Sequence, residues 1–189
     1  TDALSVLVAT SAFGEGVDIP NIRHVVLYHL PYNEVEFNQM SGRAGRDGAA
    51  AQVHLLFGRG DACVNEQVLR DMTPDHDCLA QVYRRLRALQ RDHGDGFFTL
   101  GNVDLAKLAS EGGHAVSSQS AACGVAVFRE LGLIETHTAY ASGEITRSIR
   151  VVDTASKVEL TDSVRYREGL GERAIFSAFR DWAMGTDAA

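Results

Sequence analysis

Cysteine is scarce in this sequence. Cys63, Cys78 and Cys123 are the only three in 189 residues. An odd number at wide spacing argues against a disulfide framework, and no C-x-x-C pair opens a zinc site. Thiols in a reducing cytoplasm are the expectation. Long apolar runs are missing too, so nothing has the length of a membrane-crossing helix, and no signal-peptide pattern opens the sequence. Positive charge is in deficit: 18 Lys and Arg stand against 25 Asp and Glu, a net charge of −7. Such a chain has no general field for nucleic acid, and binding to DNA must come from local patches. No internal repeat or low-complexity segment interrupts it. What remains is ordinary globular composition, 45% apolar and 23% charged, enough for one or two small domains. The opening "TDALSVLVAT" reads as mid-domain sequence, so a longer parent protein is expected.

The densest chemistry lies in "QMSGRAGRDG" (39–48). Arg43 and Arg46 sit three apart among glycines and small residues. Two guanidinium groups repel, and small neighbours forgo packing. Both costs make sense if a doubly anionic group fits between them, and phosphate matches the planar fork. The plainer reading is a solvated glycine-rich loop with two stray charges. "SVLVAT" (5–10), "HVVLYH" (24–29) and "AQVHLLF" (51–57) read as buried strands. "NEVEFNQMSGRAGR" between the last two has helical length, with Asn33 as N-cap and Val35, Phe37 and Met40 as an imperfect apolar face. Strand, loop, strand, helix, strand points to a parallel α/β layer, whose ligands bind beyond the carboxyl ends of the strands. "ATSAFGEGVD" lies there. The Arg59-Gly60-Asp61 tripeptide is read as a turn.

A helix is expected over 61–72. In "TPDHDCLAQVYRRLRALQRDHGDG", Thr73 is the expected cap, Pro74 the first helical residue, and Leu79, Val82, Leu86 and Leu89 one face. Asp75, His76 and Asp77 suit a metal only superficially; helix capping and the helix dipole account for them. Then follow a short strand at "FFTL", a helix capped by Asn102, a helix with Ala122, Val125, Phe128 and Leu131 facing inward, and a hairpin closed at Ala141-Ser142-Gly143-Glu144. That order is the order of a winged helix, whose second short helix often enters the DNA major groove. The chain closes with a linker and an amphipathic helix presenting Ile175, Phe176, Phe179 and Trp182.

"VATSAFGEGVDIP" followed by "QMSGRAGRDG" resembles motifs V and VI of the second helicase superfamily, most closely the RecQ-type DNA helicases. The resemblance covers about the first sixty residues. It implies a cleft between two RecA-like domains that binds ATP with Mg2+, Arg46 as arginine finger with Arg43 as companion, and Gln39 orienting the arginines or the attacking water. Asp18 would reach the ribose or motif VI, Gly14 and Gly16 would let backbone approach the nucleotide, and Thr10 would touch a nucleic-acid phosphate. Such a finger is worth about 10³–10⁵ in rate in related hydrolases. The Gly-x-x-x-x-Gly-Lys-Thr phosphate loop and the Asp-Glu-x-His box are not in this sequence, so the chain is expected to be inactive alone and to depend on the first RecA-like domain.

Beyond motif VI the four-cysteine zinc module of a RecQ helicase has no counterpart. From about 75 to the end, "LGLIETH" and "KVELTDSVRYREGLGERAIFSAFRDW" resemble the C-terminal accessory domain of bacterial RecJ-type single-strand exonucleases, although the Asp-His-His nuclease motif is absent. The implied parent joins RecJ-like nuclease and RecQ-like helicase modules in bacterial cytoplasm, acting in DNA repair or recombination on single-stranded or forked DNA. The expected organisation is the C-terminal part of the second RecA-like domain, a partial parallel sheet with motifs V and VI, over 1–60, a connecting helix over 61–72, an α+β winged helix over 73–155, and linker plus closing helix over 156–189. Arg84, Arg85 and Arg87 are the candidate DNA contacts of the winged helix. Between 79 and 152, eight basic side chains meet seven acidic ones, a weak footprint for a DNA reader. A non-catalytic DNA-binding accessory module and a protein-docking module therefore stand as alternatives. A partial sheet would also leave an edge that invites self-association through 5–10, 24–29 or 51–57.

Overall fold

The computed structural model describes residues 5–10, 18–141, 144–154 and 157–185, with backbone alone at 139–141 and 144–146. It is a mixed helix and sheet structure in two compact units. One runs to Asn65 and resumes from Ile175; the other is Glu66–Ala174.

In the first unit, β1 (His24–Leu27) and β2 (Gln52–Leu55) pair in parallel, with Val25 opposite Val53 and Leu27 opposite Leu55. Parallel neighbours need a crossover, and α1 (Glu34–Ser41) lies in it. Asn33 caps α1 by accepting from the Glu36 N–H at 2.8 Å, while the Glu36 carboxylate accepts from the Tyr32 N–H at 2.7 Å. The helix stops at Ser41, short of the expected span, so both arginines of "GRAGR" stand on the turns after it. Its apolar face is narrower than expected: Phe37 meets the rings of Phe179 and Trp182 at 6.0 and 5.6 Å, but Val35 is 66% exposed. Leu30 and Phe176 are buried, whereas Ile175 and Trp182 are about half exposed, so only Phe176 and Phe179 of the proposed closing face are core.

The strand expected at 5–10 does not form. Residues 6–10 have no regular structure, and Val8 is 92% exposed. A strand exists through its ladder partner, and an apolar β-branched run supplies only the propensity. None of the described residues pairs with it.

The second unit begins within α2 (Arg59–Met72) and holds α3 (His76–His93), β3 (Phe98–Thr99), α4 (Asn102–Ser110), α5 (Ser118–Glu130), β4 (Ile134–Ala141), β5 (Glu144–Val151) and the start of α6 (Val164–Ala183). The strands form an antiparallel sheet in the order β3-β5-β4, with Phe98 opposite Ile149 and Ile134 opposite Val151. Ala141 pairs with Glu144; the closing Ser142 and Gly143 lie outside the described residues. Leu79, Val82, Leu86, Phe98, Leu105, Phe128 and Ile149 make one core, each large side chain contributing about 1.5–3 kcal/mol on burial. α5 comes close to α3 because residue 124 is glycine: a Cβ there would stand 3.3 Å from Leu79 Cδ2 and 3.4 Å from Val82 Cγ1.

Three local expectations are corrected here. The cap of α3 is Asp75, whose side chain accepts from the Cys78 N–H at 2.9 Å. Thr73 instead donates its hydroxyl to the Leu69 carbonyl at 2.7 Å, completing the previous helix, and Pro74 precedes the cap. The cap of α4 is Gly101, because Asn102 turns its side chain to Arg147. On α5 the inward residues are Ala121, Gly124, Val125 and Phe128, while Ala122 and Leu131 are only partly covered. A local bond to the preceding turn took Thr73, and a distant partner, Arg147, took Asn102.

Candidate functional site

The segment after α1 is a chain of tight turns, and its backbone is sewn to the stretch that precedes β1. Gly45 N–H donates to the Ile22 carbonyl at 2.9 Å and Asp47 N–H to the Pro20 carbonyl at 3.1 Å. Gly45 has φ of 63°, and a Cβ there would lie 2.7 Å from the Ala49 carbonyl oxygen. This position requires glycine for both reasons. Side chains add a second clamp. Arg23 and Asp47 form a two-pronged pair, with Nη1 donating to Oδ1 at 3.0 Å and Nη2 to Oδ2. The Ala49 N–H also donates to Asp47 Oδ1 at 3.0 Å. The Arg23 bond foremost, then the Ala49 N–H, holds the Asp47 carboxyl at about 2, below its ordinary 3.8.

On this clamped frame Arg46 donates from Nη1 to Asp18 Oδ1 at 2.9 Å and from Nε to the Gly42 carbonyl at 3.3 Å. The Arg46–Asp18 pair is open to solvent, so it contributes little stability. Its consequence is positional: it joins the two halves of the sequence pattern 28 residues apart. Arg43 is partly covered and meets no carboxylate among the described residues. Gln39 is exposed on α1, lining a shallow groove with Tyr32, Asn33, Val35, Glu36 and Ile175. It makes no hydrogen bond to either arginine among the described residues. Thr10 is exposed in the irregular stretch 6–10, and Gly14 and Gly16 lie outside the described residues. Among the described residues, no three His, Cys, Asp or Glu side chains gather to hold a metal ion.

Sequence reasoning missed Arg23 and Asp47 as the clamp. The Asp-Gly step at 47–48 signals only a turn, and no local spacing points to an arginine 24 residues earlier. In the second unit, Arg85 donates to Glu111 at 2.9 Å and Arg87 to Asp153 at 2.6 Å, while Arg84 is exposed. Two of the three candidate DNA contacts are therefore engaged by carboxylates.

Residues 1–48 match the model of the helicase conserved C-terminal domain. The probable ATP-dependent DNA helicase RecS of Bacillus subtilis (strain 168) is 42% identical over 83 residues, 44% of this chain and 17% of that protein. The ATP-dependent DNA helicase RecQ of the same organism is 40% identical over 88 residues, 47% of this chain and 15% of that protein. The bifunctional 3'-5' exonuclease/ATP-dependent helicase WRN of Mus musculus is 35% identical over 83 residues, 44% of this chain and 6% of that protein. The chain thus spans less than a fifth of the length of these relatives, and the similarity lies in a RecQ-like helicase C-terminal segment. No solved structure matches the chain. Among the described residues, no helix is long and apolar enough to cross a membrane.

Proposed function

We propose that this chain is the C-terminal part of an ATP-dependent DNA helicase of the RecQ-like kind. In this reading Arg46, with Arg43 beside it, faces the γ-phosphate of ATP, which another RecA-like domain of the parent holds with Mg2+. The supporting observation is the loop 42–48, clamped by the Gly45, Asp47 and Arg23 bonds and carrying Arg46 against Asp18. A guanidinium on a pinned backbone needs little reorganisation when charge develops on the phosphoryl oxygens. Asp18 orients the Arg46 fork, and Arg43, lacking a carboxylate partner among the described residues, suits an anion that is not part of this chain. ATP with Mg2+ supplies the phosphoryl group; this chain's residues supply charge and position. Gln39, on the helix that leads into the loop, is proposed to order the arginines or water once the cleft closes. Gly14 and Gly16 would pass close to the nucleotide, and Thr10 would meet a nucleic-acid phosphate.

Residues 73–155 are proposed to be a winged helix. α3, β3, α4, α5, β4 and β5 follow in the fitting order, with the antiparallel hairpin packed on the helical core. With the tail, this region is the proposed RecJ-like accessory domain of a helicase–exonuclease parent acting on single-stranded or forked DNA in repair or recombination, in bacterial cytoplasm. The engagement of Arg85 and Arg87 by carboxylates favours a docking role for the α3 face over DNA contact there.

The test is ATP hydrolysis by the full-length parent. Arg46→Ala should lower kcat by about 10³-fold or more, with ATP affinity changed only a few-fold, and Arg43→Ala should lower it less. Unchanged hydrolysis in both variants overturns the reading.

A further inference from the structure

His24 and His54 meet on one face of the sheet in the first unit. The register sets Gln52 opposite His24 and His54 opposite Val26. Side chains two apart along a strand share a face, so all four stand on the same side. Both histidines are exposed, and His24 Nδ1 lies 3.2 Å from His54 Nε2. The ring centroids are 5.4 Å apart and the ring planes 30° from parallel. The ladder fixes both backbones: Gln52 N–H donates to the Arg23 carbonyl and Leu56 N–H to the Leu27 carbonyl, each at 2.8 Å. The two rings come from positions 30 apart in sequence, and α1 and the arginine loop lie between them.

Two ring nitrogens at this separation have two uses. In a hydrogen bond one must carry the proton and the other accept it. As ligands of one metal ion, both present lone pairs. Zinc–imidazole bonds of about 2.0–2.1 Å at a tetrahedral angle set two nitrogens about 3.3–3.4 Å apart, close to the separation of these rings. An exposed hydrogen bond contributes little, because water serves either nitrogen as well. A chelated ion gains from both rings being held in place before it arrives. Both side chains are open to solvent, so an ion can reach them. Among the described residues no third His, Cys, Asp or Glu completes a ligand group with them, so water fills the other positions and binding is reversible.

We propose that His24 and His54 bind one divalent ion of the zinc, nickel and copper class across β1 and β2, through His24 Nδ1 and His54 Nε2. Imidazole nitrogen favours these ions, whereas magnesium and calcium take oxygen ligands. Both rings are neutral when they bind it, and each carries its proton on the far nitrogen, Nε2 of His24 and Nδ1 of His54. The ion ties together the strands on either side of the arginine loop. His24 also follows Arg23, the residue that holds Asp47. The proposal needs only these two rings and does not rest on the helicase reading.

The test is a zinc titration of the whole chain, free of any affinity tag, followed through the histidine ring C–H signals by NMR. His24→Gln and His54→Gln assign the two rings, and magnesium at equal concentration is the control. In wild type the His24 and His54 signals should move together, ahead of the other histidines, and saturate at one zinc per chain. Magnesium should move neither. Each variant should bind zinc roughly tenfold more weakly or worse, because one ring alone loses the advantage of the pair. Both side chains are exposed, so either change spares the core, and the wild-type titration stands without the variants' affinities. Signals that do not move with zinc, that move no sooner than those of the other histidines, or that respond equally in either variant leave a hydrogen bond alone and overturn the proposal.

Discussion

Arg46 and Asp47 are adjacent in sequence and perform opposite tasks. Arg46 is presented on the surface, and Asp47 is turned back to lock the loop that presents it. The lock has a pH signature. The Asp47 carboxyl sits at about 2 in the folded chain against 3.8 ordinarily. A depressed carboxylate stabilises the fold above the unfolded pKa, and that contribution disappears as pH falls from 3.8 towards about 2. Asp47→Asn should therefore flatten the acid limb of unfolding stability in that window, measured by denaturant melts at stepped pH. An unchanged limb means that the Arg23 bond does not form in solution. At this scale Arg43 and Arg46 could be singled out from sequence because their spacing and small neighbours are local; the role given to them is the proposal above. Arg23 was illegible, because a partner 24 residues away is chosen by how the turns fold and not by any pattern nearby.

Helices and strands show where local chemistry runs out. The existence of α1, α3, α4 and α5 follows from apolar periodicity and turn residues, and the structure has all four. Their ends were harder to read. Thr73 and Asp75 are both good caps, and the Leu69 carbonyl took the Thr73 hydroxyl; Asn102 is a good cap, and Arg147 took its side chain. The start of α6 went unread altogether. Ser163 is fully buried there, accepts from the Tyr166 N–H at 3.1 Å, and donates its hydroxyl to Glu130. Glu130 in turn accepts from the Val164 N–H, so one carboxylate and one hydroxyl satisfy the first turn of α6. Ser163→Ala should cost about 1–2 kcal/mol of stability, read as a shift of the urea midpoint at constant slope. A midpoint equal to wild type would show that water replaces the cap without loss.

For the whole molecule, the sheet of the first unit is the exposed feature. β1 and β2 pair only with each other among the described residues, and parallel sheets are normally covered on both faces. Here Val26 is 54% exposed, Tyr28 84% and Leu56 52%, and Val6 and Val8 lie open in the unpaired stretch. A bare strand edge beside apolar side chains recruits another strand. The 20.5 kDa chain should therefore sediment heavier as its concentration rises, and substituting Val26 and Val53 with lysine should restore the monomer. A clean monomer of the unmodified chain at high concentration would count against this. The parallel pairing and its crossover were legible from alternating strand and helix patterns. The fate of 5–10 was not, because strand formation depends on a neighbour and the apolar run cannot specify one.

The central claim is that "GRAGR" serves ATP-driven work on DNA, and strand separation tests it most directly. The measurement is unwinding of a forked duplex by the full-length protein, wild type against Arg46→Ala, with ATP and DNA affinity determined on the same preparations. The account predicts that Arg46→Ala binds both ligands within a few-fold of wild type and separates no strands. An Arg46→Ala protein that unwinds at the wild-type rate would contradict it and reduce the arginine pair to a solvated loop.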